Sequence, residues 1–347
     1  MGWTLKPFLS FRSLIIFGIL AVLLVTTSQL RYEQTFAANR TGGDDDFAHA
    51  IRTIFSRTLH DLTSPFRHPL DGSTYKIVEP ALWTKPMGKD ICIVDIDTRP
   101  MDRSGEVWSE DGSFNWQKSR KLTPGFMNHF LYATIHGYDY RYVRTTEFDD
   151  RRAPWTKPPA LASLIKNYRF VVSIDADVLF PHLTLPYEWL LNHWNVTKDT
   201  IVTMTRDVDF SKKPALDKFG RERDNAGFVT LQDHPLTIQL LQEWAECPDK
   251  VKGCEWLKNK WPAEQGAWND YVRYHYLENV RELPSDEGIG SPKFELKPKG
   301  KLVQHYTLNK RQVRGGSQDA LAQGFMQSLQ AHMVDHKQEL VYERLFP

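Results

Sequence analysis

The period of apolar positions changes several times along this chain, and each change marks an element. Between Arg12 and Arg31 there is no alternation: the stretch "SLIIFGILAVLLVTTSQL" carries no charge and is most apolar from Leu14 to Val25. As a helix at ~1.5 Å per residue it reaches ~27 Å, enough for a thin bilayer. Farther on, Phe47, Ile51, Ile54, Phe55, Leu59 and Leu62 recur at helical spacing and predict a short amphipathic helix. The pattern then dissolves around Pro65, Pro69, Asp71, Gly72, Pro80 and Pro86, which reads as a linker or a strap across a surface.

From Asp90 the period switches repeatedly between two and 3.6. Strands are predicted at 91–96, 138–143, 170–174 and 200–205, with helices at 120–136, 159–168 and 184–194 between them. Such alternation implies an α/β fold, a single mostly parallel sheet flanked by helices, whose ligands bind beyond the carboxyl ends of the strands. The tail from Ser317 onward reads as a helix, with Leu321, Phe325, Leu329, Met333 and Val334 spaced to pack on the domain, the favoured reading, or to join a partner. The organisation expected is a tail at 1–12, an anchor at 13–30, a stem and linker at 31–89, a catalytic-sized domain at 90–316 and a helical extension at 317–347.

The flanks of the apolar stretch give it a direction. Lys6 and Arg12 precede it and "GDDD" at 43–46 follows, so the positive-inside rule puts the N-terminus in the cytosol and the remainder in the lumen. A cleaved signal peptide, with Thr26 and Ser28 near the cleavage point, is the alternative. Either way the domain enters the secretory pathway, in keeping with acceptor sequons at Asn39 and Asn195. Cys247 and Cys254 lie seven apart around Pro248 and Gly253, a loop that a disulfide can close, whereas Cys92 sits inside an apolar strand.

Composition narrows the partners. Lys and Arg total 44 against 43 Asp and Glu, a formal charge of +1, so no global field attracts nucleic acid and any anion site must be local.

Three Asp-x-Asp triplets occur, at 95–97, 175–177 and 207–209, and context must choose among them. Only the middle one, in "RFVVSIDADVLF", is followed at once by a second apolar run and Pro181, the pattern of a turn held by core on both sides. Two hard carboxylates there can hold Mn2+ or Mg2+ while leaving coordination positions for the oxygens of a diphosphate.

Around that triplet, "NHFLYATIHGYDYRYV", "WTKPPALASLI", "VVSIDADVLF", "DNAGFVTLQDHPLTIQLLQEWA", "EQGAWNDYV" and "LVQHYTLNK" follow one another between about residues 90 and 315. In order and spacing this resembles the retaining glycosyltransferases of the GT-A fold, close to glycosyltransferase family 34, with its fungal α-galactosyl- and α-mannosyltransferases and plant xyloglucan α-xylosyltransferases. The resemblance implies that Asp175, Asp177 and His305 hold a metal, and that Lys310, five residues after the histidine, contacts the diphosphate. It puts Asn225 and Gly227 at the donor sugar and Lys157, in a Trp-x-Lys opening a helix, near the nucleotide. Glu264 and Gln265 match an acidic-Gln pair presented to the transferring sugar. Departures are Ala226 where the family has Ser, Glu264 where it often has Asp, and the acidic triplet ending the first strand. Asp95 or Asp97 there is positioned for the base and ribose.

The activity so implied is metal-dependent transfer of a sugar from a uridine or guanosine diphosphate donor to a glycan hydroxyl, with retention, by a single-pass type II protein of the Golgi membrane. The anchor would be its membrane contact, and other glycosyltransferases are potential partners in a complex. Donor and acceptor choice is expected to rest on loops such as 206–224 and 280–300. Two other readings stand beside this one. A haloacid-dehalogenase-like phosphatase also projects Asp-x-Asp from a strand end, and a lumenal subunit can keep the fold without turnover.

Overall fold

The structure, a computed structural model, describes residues 46–208, 215–292 and 298–343. The predicted anchor at 13–30, the tail before it, the Asn39 sequon and Asp209 lie outside them. Among the described residues no helix is long and apolar enough to cross a membrane. The described residues from Ala50 onward belong to one compact unit, and those before it are the first turn of helix α1, Asp46–Phe55.

The strap that follows α1 forms a small hairpin, β1 (Phe66–Arg67) with β2 (Thr74–Tyr75). Its main fastener is Trp83, buried, donating from Nε1 to the Val196 carbonyl at 2.8 Å and packed edge-on against Phe170. Asn192 holds the neighbouring backbone, accepting from the amides of Leu82 and Trp83.

The central sheet has six strands: β3 (Ile91–Asp97), β4 (Asp139–Arg144), β5 (Phe170–Ile174), β7 (Val202–Arg206), β8 (Asp224–Gln232) and β9 (Val280–Leu283). Their order is β4-β3-β5-β8-β7-β9. Five strands run one way; β8 is antiparallel to both its neighbours, β5 and β7. Five of the six strands fit the predicted mostly parallel sheet and β8 makes it a mixed one; the two strands that the helix-strand alternation did not supply are β8 and β9.

Apolar runs without alternation follow from burial on both faces. Ile91, Ile93, Phe170, Val172 and Ile174 join the core formed with helices α2 (Thr123–His136) and α4 (Tyr187–His193). The alternate residues Cys92, Val94 and Val171 are equally buried. Helix α3 (Lys157–Leu164) contacts β5 and packs on α5 (Thr237–Lys250). The Cys247–Cys254 disulfide closes the loop after α5, with its Cα atoms 5.9 Å apart.

A second small sheet pairs β6 (Val178–Leu179) with β10 (Gln304–His305), antiparallel, with His305 opposite Val178. After it come the short helix α6's downstream partner in sequence, α7 (Val313–Asp335), and α8 (Lys337–Leu340); α6 itself spans Glu264–Ala267. Helix α7 corrects the expectation for the tail. Its buried face consists of Val313, Ser317, Ala320, Gly324 and Ser328, while Leu321, Phe325, Leu329, Met333 and Val334 are all exposed. Small residues win because the backbone comes close: a Cβ on Gly324 would stand 3.0 Å from Phe55, and Ser328 Oγ lies 2.8 Å from Thr58 Oγ1. Likewise Ile54 and Leu59 of the predicted stem helix are exposed, and Phe55 carries its packing.

Candidate active site

Strand β5 is buried from end to end and stops at Ile174. The next residues turn sharply: the Val178 amide donates to the Asp175 carbonyl at 2.8 Å. Both flanks of the turn are tied down, Asp175 N to the Gly227 carbonyl of β8 at 2.8 Å and the Asp177 carbonyl to Tyr306 N after β10 at 2.9 Å. Helix α2 approaches from a third side, and only because position 125 is glycine; a Cβ there would lie 2.0 Å from the Ala176 carbonyl oxygen. A buried strand therefore delivers two carboxylates on a turn that cannot drift.

The β6–β10 pairing brings His305 to this turn from 128 residues downstream of Asp177 in the chain's fold order. Asp175, Asp177 and His305 each offer a ligand atom, all within 4.8 Å of one another. The imidazole Nε2 is 3.6 Å from Asp177 Oδ1, and Nδ1 is buried with no hydrogen-bond partner. Two hard oxygens and a borderline nitrogen, with a buried ring atom left without a partner, fit a divalent cation such as Mn2+.

Two lysines neutralise the carboxylates. Lys310 Nζ stands 2.9 Å from Asp177 Oδ2, and Lys157 Nζ donates to Asp175 Oδ1 at 2.6 Å while lying 3.8 Å from Glu264 Oε1. Burial opposes the charge on Asp177, but His305 and then Lys310 outweigh it and hold the carboxyl below its usual range. For His305 the sign is reversed: burial disfavours the imidazolium, and Asp177 more than compensates, raising it. Burial likewise works against Lys157, and Asp175 with Glu264 overcomes it. Glu264 is different, since burial dominates and pushes its carboxyl up to about 7, with Oε2 unpartnered.

On the β8 side, Gly227 lies against the triad. A Cβ on it would be 2.5 Å from His305 Cε1, 2.9 Å from Asn225 Oδ1 and 3.2 Å from Asp175 Oδ2. The β7–β8 register shifts between Met204 and Thr205, opposite this stretch, a bulge that re-aims the strand beside the site. Asn225 and Gln265 are both buried. Gln265 Oε1 accepts from Ala226 N at 2.9 Å, so α6 is fastened to β8 across the site.

A cleft of about 340 Å3 opens on the other side of the aspartates, lined by Asp97, Thr98, Phe126 and Glu147 at one end and by Lys157, Asp175, Asp177 and Lys310 at the other. The predicted residues thus fall into two groups meeting at the carboxylate pair: Asp97, Lys157 and Lys310 along the cleft, and Asn225, Gly227, Glu264 and Gln265 beyond it. Asp97 lines the cleft paired with Arg99. Of the Asp95 and Asp97 pair named for the nucleotide, Asp95 also borders the cleft, but its carboxylate is 1% exposed and is held by His129 Nδ1 at 2.9 Å and Tyr140 Oη at 2.9 Å, so it braces β3 against α2 and β4.

Asp207 opens the third triplet, and the sequence alone assigns it no role. The structure sets it beside Asn225 and Gln265, and the signal that identifies it is its place at the end of β7, adjacent to the strand carrying "NAGF". Glu147 and Phe126 at the cleft have no local sequence signature.

No family model matches the chain, and no curated protein matches it. Solved structures similar to it include a glycosyltransferase involved in the glycosylation of the major capsid of PBCV-1, at 11% identity over 65% of this chain and 99% of that one, with a TM-score of 0.46. Others are the glycosyltransferase GlyE of Streptococcus pneumoniae TIGR4 (11% identity, 71% and 64% of the two chains, TM-score 0.40) and mouse xyloside xylosyltransferase 1 (10%, 62% and 96%, 0.36).

Proposed function

We propose that the chain transfers a sugar from a uridine or guanosine diphosphate donor to a glycan hydroxyl, as a metal-dependent, retaining enzyme similar to glycosyltransferase family 34. The observation that carries the reading is the convergence of Asp175, Asp177 and His305, with Lys310 on Asp177, beside a cleft of about 340 Å3. The order of sequence motifs supports it independently.

Asp175, Asp177 and His305 would hold the cation, which when bound supplies Lewis acidity and neutralises charge on the diphosphate. Lys310, half exposed at the cleft, is free to turn its ammonium to a phosphate oxygen and to stabilise the charge that grows there. Gly227 leaves room for the donor sugar, whose hydroxyls Asn225 and Gln265 can bind. The bond from the anomeric carbon to the phosphate oxygen breaks as the bond to the acceptor oxygen forms on the same face. The acceptor's proton passes to the departing phosphate. Glu264 adjoins Gln265 in the chain, but its burial, its raised pKa and its tie to Lys157 make it a poor nucleophile for a double displacement.

A lumenal site of action belongs to the same reading. The disulfide and the exposed Asn195 sequon support it, as does the apolar stretch at 13–30 read as a type II anchor. The test is nucleotide release by the purified full chain with a panel of uridine and guanosine diphosphate sugars and Mn2+. Release from one donor, abolished by chelation, is expected. No release from any donor, together with no metal-dependent nucleotide binding, would overturn the proposal.

A further inference from the structure

Asp207 is half-buried at the start of the chain that leaves β7, and its carboxylate is shared between two amides. Oδ2 accepts from Gln265 Nε2 at 2.9 Å, and Oδ1 accepts from Asn225 Nδ2 at 3.1 Å and from Val208 N at 2.9 Å. The other end of each amide meets a donor: Gln265 Oε1 accepts from Ala226 N at 2.9 Å and Asn225 Oδ1 from Gly227 N at 2.8 Å. A flip of either amide would press its oxygen against a carboxylate and its NH2 against a backbone N–H. One carboxylate thus selects a single orientation for two side chains on two different elements, β8 and α6. Asp207 is itself fixed, since its N–H donates to the Arg223 carbonyl at 2.6 Å.

We infer that Asp207 is a positioning residue for the transfer reaction: by orienting the amides of Asn225 and Gln265 it presents their remaining N–H and C=O valences to the hydroxyls of the donor sugar. This rests on the glycosyltransferase reading. It acts on the sugar and not on the nucleotide, because Asp207 contacts Asn225 and Gln265 and does not line the cleft.

Two substitutions separate the effects. Asp207→Ala removes both acceptors, while Asp207→Asn keeps the shape but turns an NH2 toward one of the two amides. In the full chain, both variants should bind uridine or guanosine diphosphate with Mn2+ within about threefold of wild type. Their kcat for nucleotide release from the sugar donor should fall on the order of a hundredfold, the scale of a slightly misplaced contact. In a double-mutant cycle, Asp207→Ala should add little to Gln265→Ala, because both remove the same oriented amide. Full activity of both variants, an equal loss of nucleotide affinity, or effects that multiply with Gln265→Ala would each overturn the inference. If the wild type proves to release nucleotide from no donor, the functional reading falls by itself. Exchange of the Gln265 and Asn225 side-chain amide protons, followed by NMR in the folded chain, still decides the orienting role. Protection lost in Asp207→Ala supports it, and unchanged protection overturns it.

Discussion

Gly227 and His305 touch across the site: a Cβ added at residue 227 would lie 2.5 Å from His305 Cε1. Contacts that short do not occur, so even a methyl group must displace the imidazole from the aspartates. Gly227→Ala is therefore expected to weaken Mn2+ binding on the order of tenfold to a hundredfold, the usual cost of disturbing a ligand's support. Calorimetric titration of Mn2+ checks this, with the melting temperature as a control for folding.

Lys310 pairs with Asp177 of the proposed metal site but is half exposed, so its removal should leave the fold intact. Lys310→Met is expected to lower kcat by roughly 10²- to 10³-fold, as for loss of one group stabilising developing charge. Mn2+ affinity should not fall, since the substitution removes a competing cation from Asp177. Steady-state kinetics beside metal titration separate the two.

How much of this was legible in the sequence depended on whether a feature is local. The run "VVSI" before Asp175 is a buried strand in both readings, 170–174, because continuous apolar character needs no partner to be recognised. Strands β8 and β9 are missing from the predicted alternation, and pairing with β5 and β7 is what makes the stretch around "NAGF" part of a strand. Asp95 and Asp175 look alike as strand-end acids, yet one is enclosed by His129 and Tyr140, residues 34 and 45 positions away. For α7 the apolar row pointed to the wrong face, because close helix packing favours Ser317, Ala320 and Gly324 over larger side chains.

Acid should destabilise the fold through His136. Its Nε2 donates to the Leu183 carbonyl at 2.9 Å, and burial holds the imidazole down at about 4, against that hydrogen bond's opposing pull. A base with a depressed folded pKa contributes stability that is complete above the unfolded value, ~6.5, and is lost as pH falls toward 4. Between pH 7.5 and 5 the loss should be roughly 2 kcal/mol from this residue. Urea unfolding at the two pH values, for wild type and His136→Gln, measures it; the variant should show the smaller difference.

The central claim is that Asp175, Asp177 and His305 form a metal seat for a nucleotide diphosphate. Its most direct test is calorimetric binding of uridine and guanosine diphosphate to the full chain, with and without Mn2+, in wild type, Asp177→Ala and His305→Ala. The account predicts that Mn2+ tightens binding of one of the two nucleotides in the wild type by a factor on the order of ten or more, and that either substitution abolishes the gain. Nucleotide binding that is absent, or that is the same with and without Mn2+ in the wild type, would contradict it.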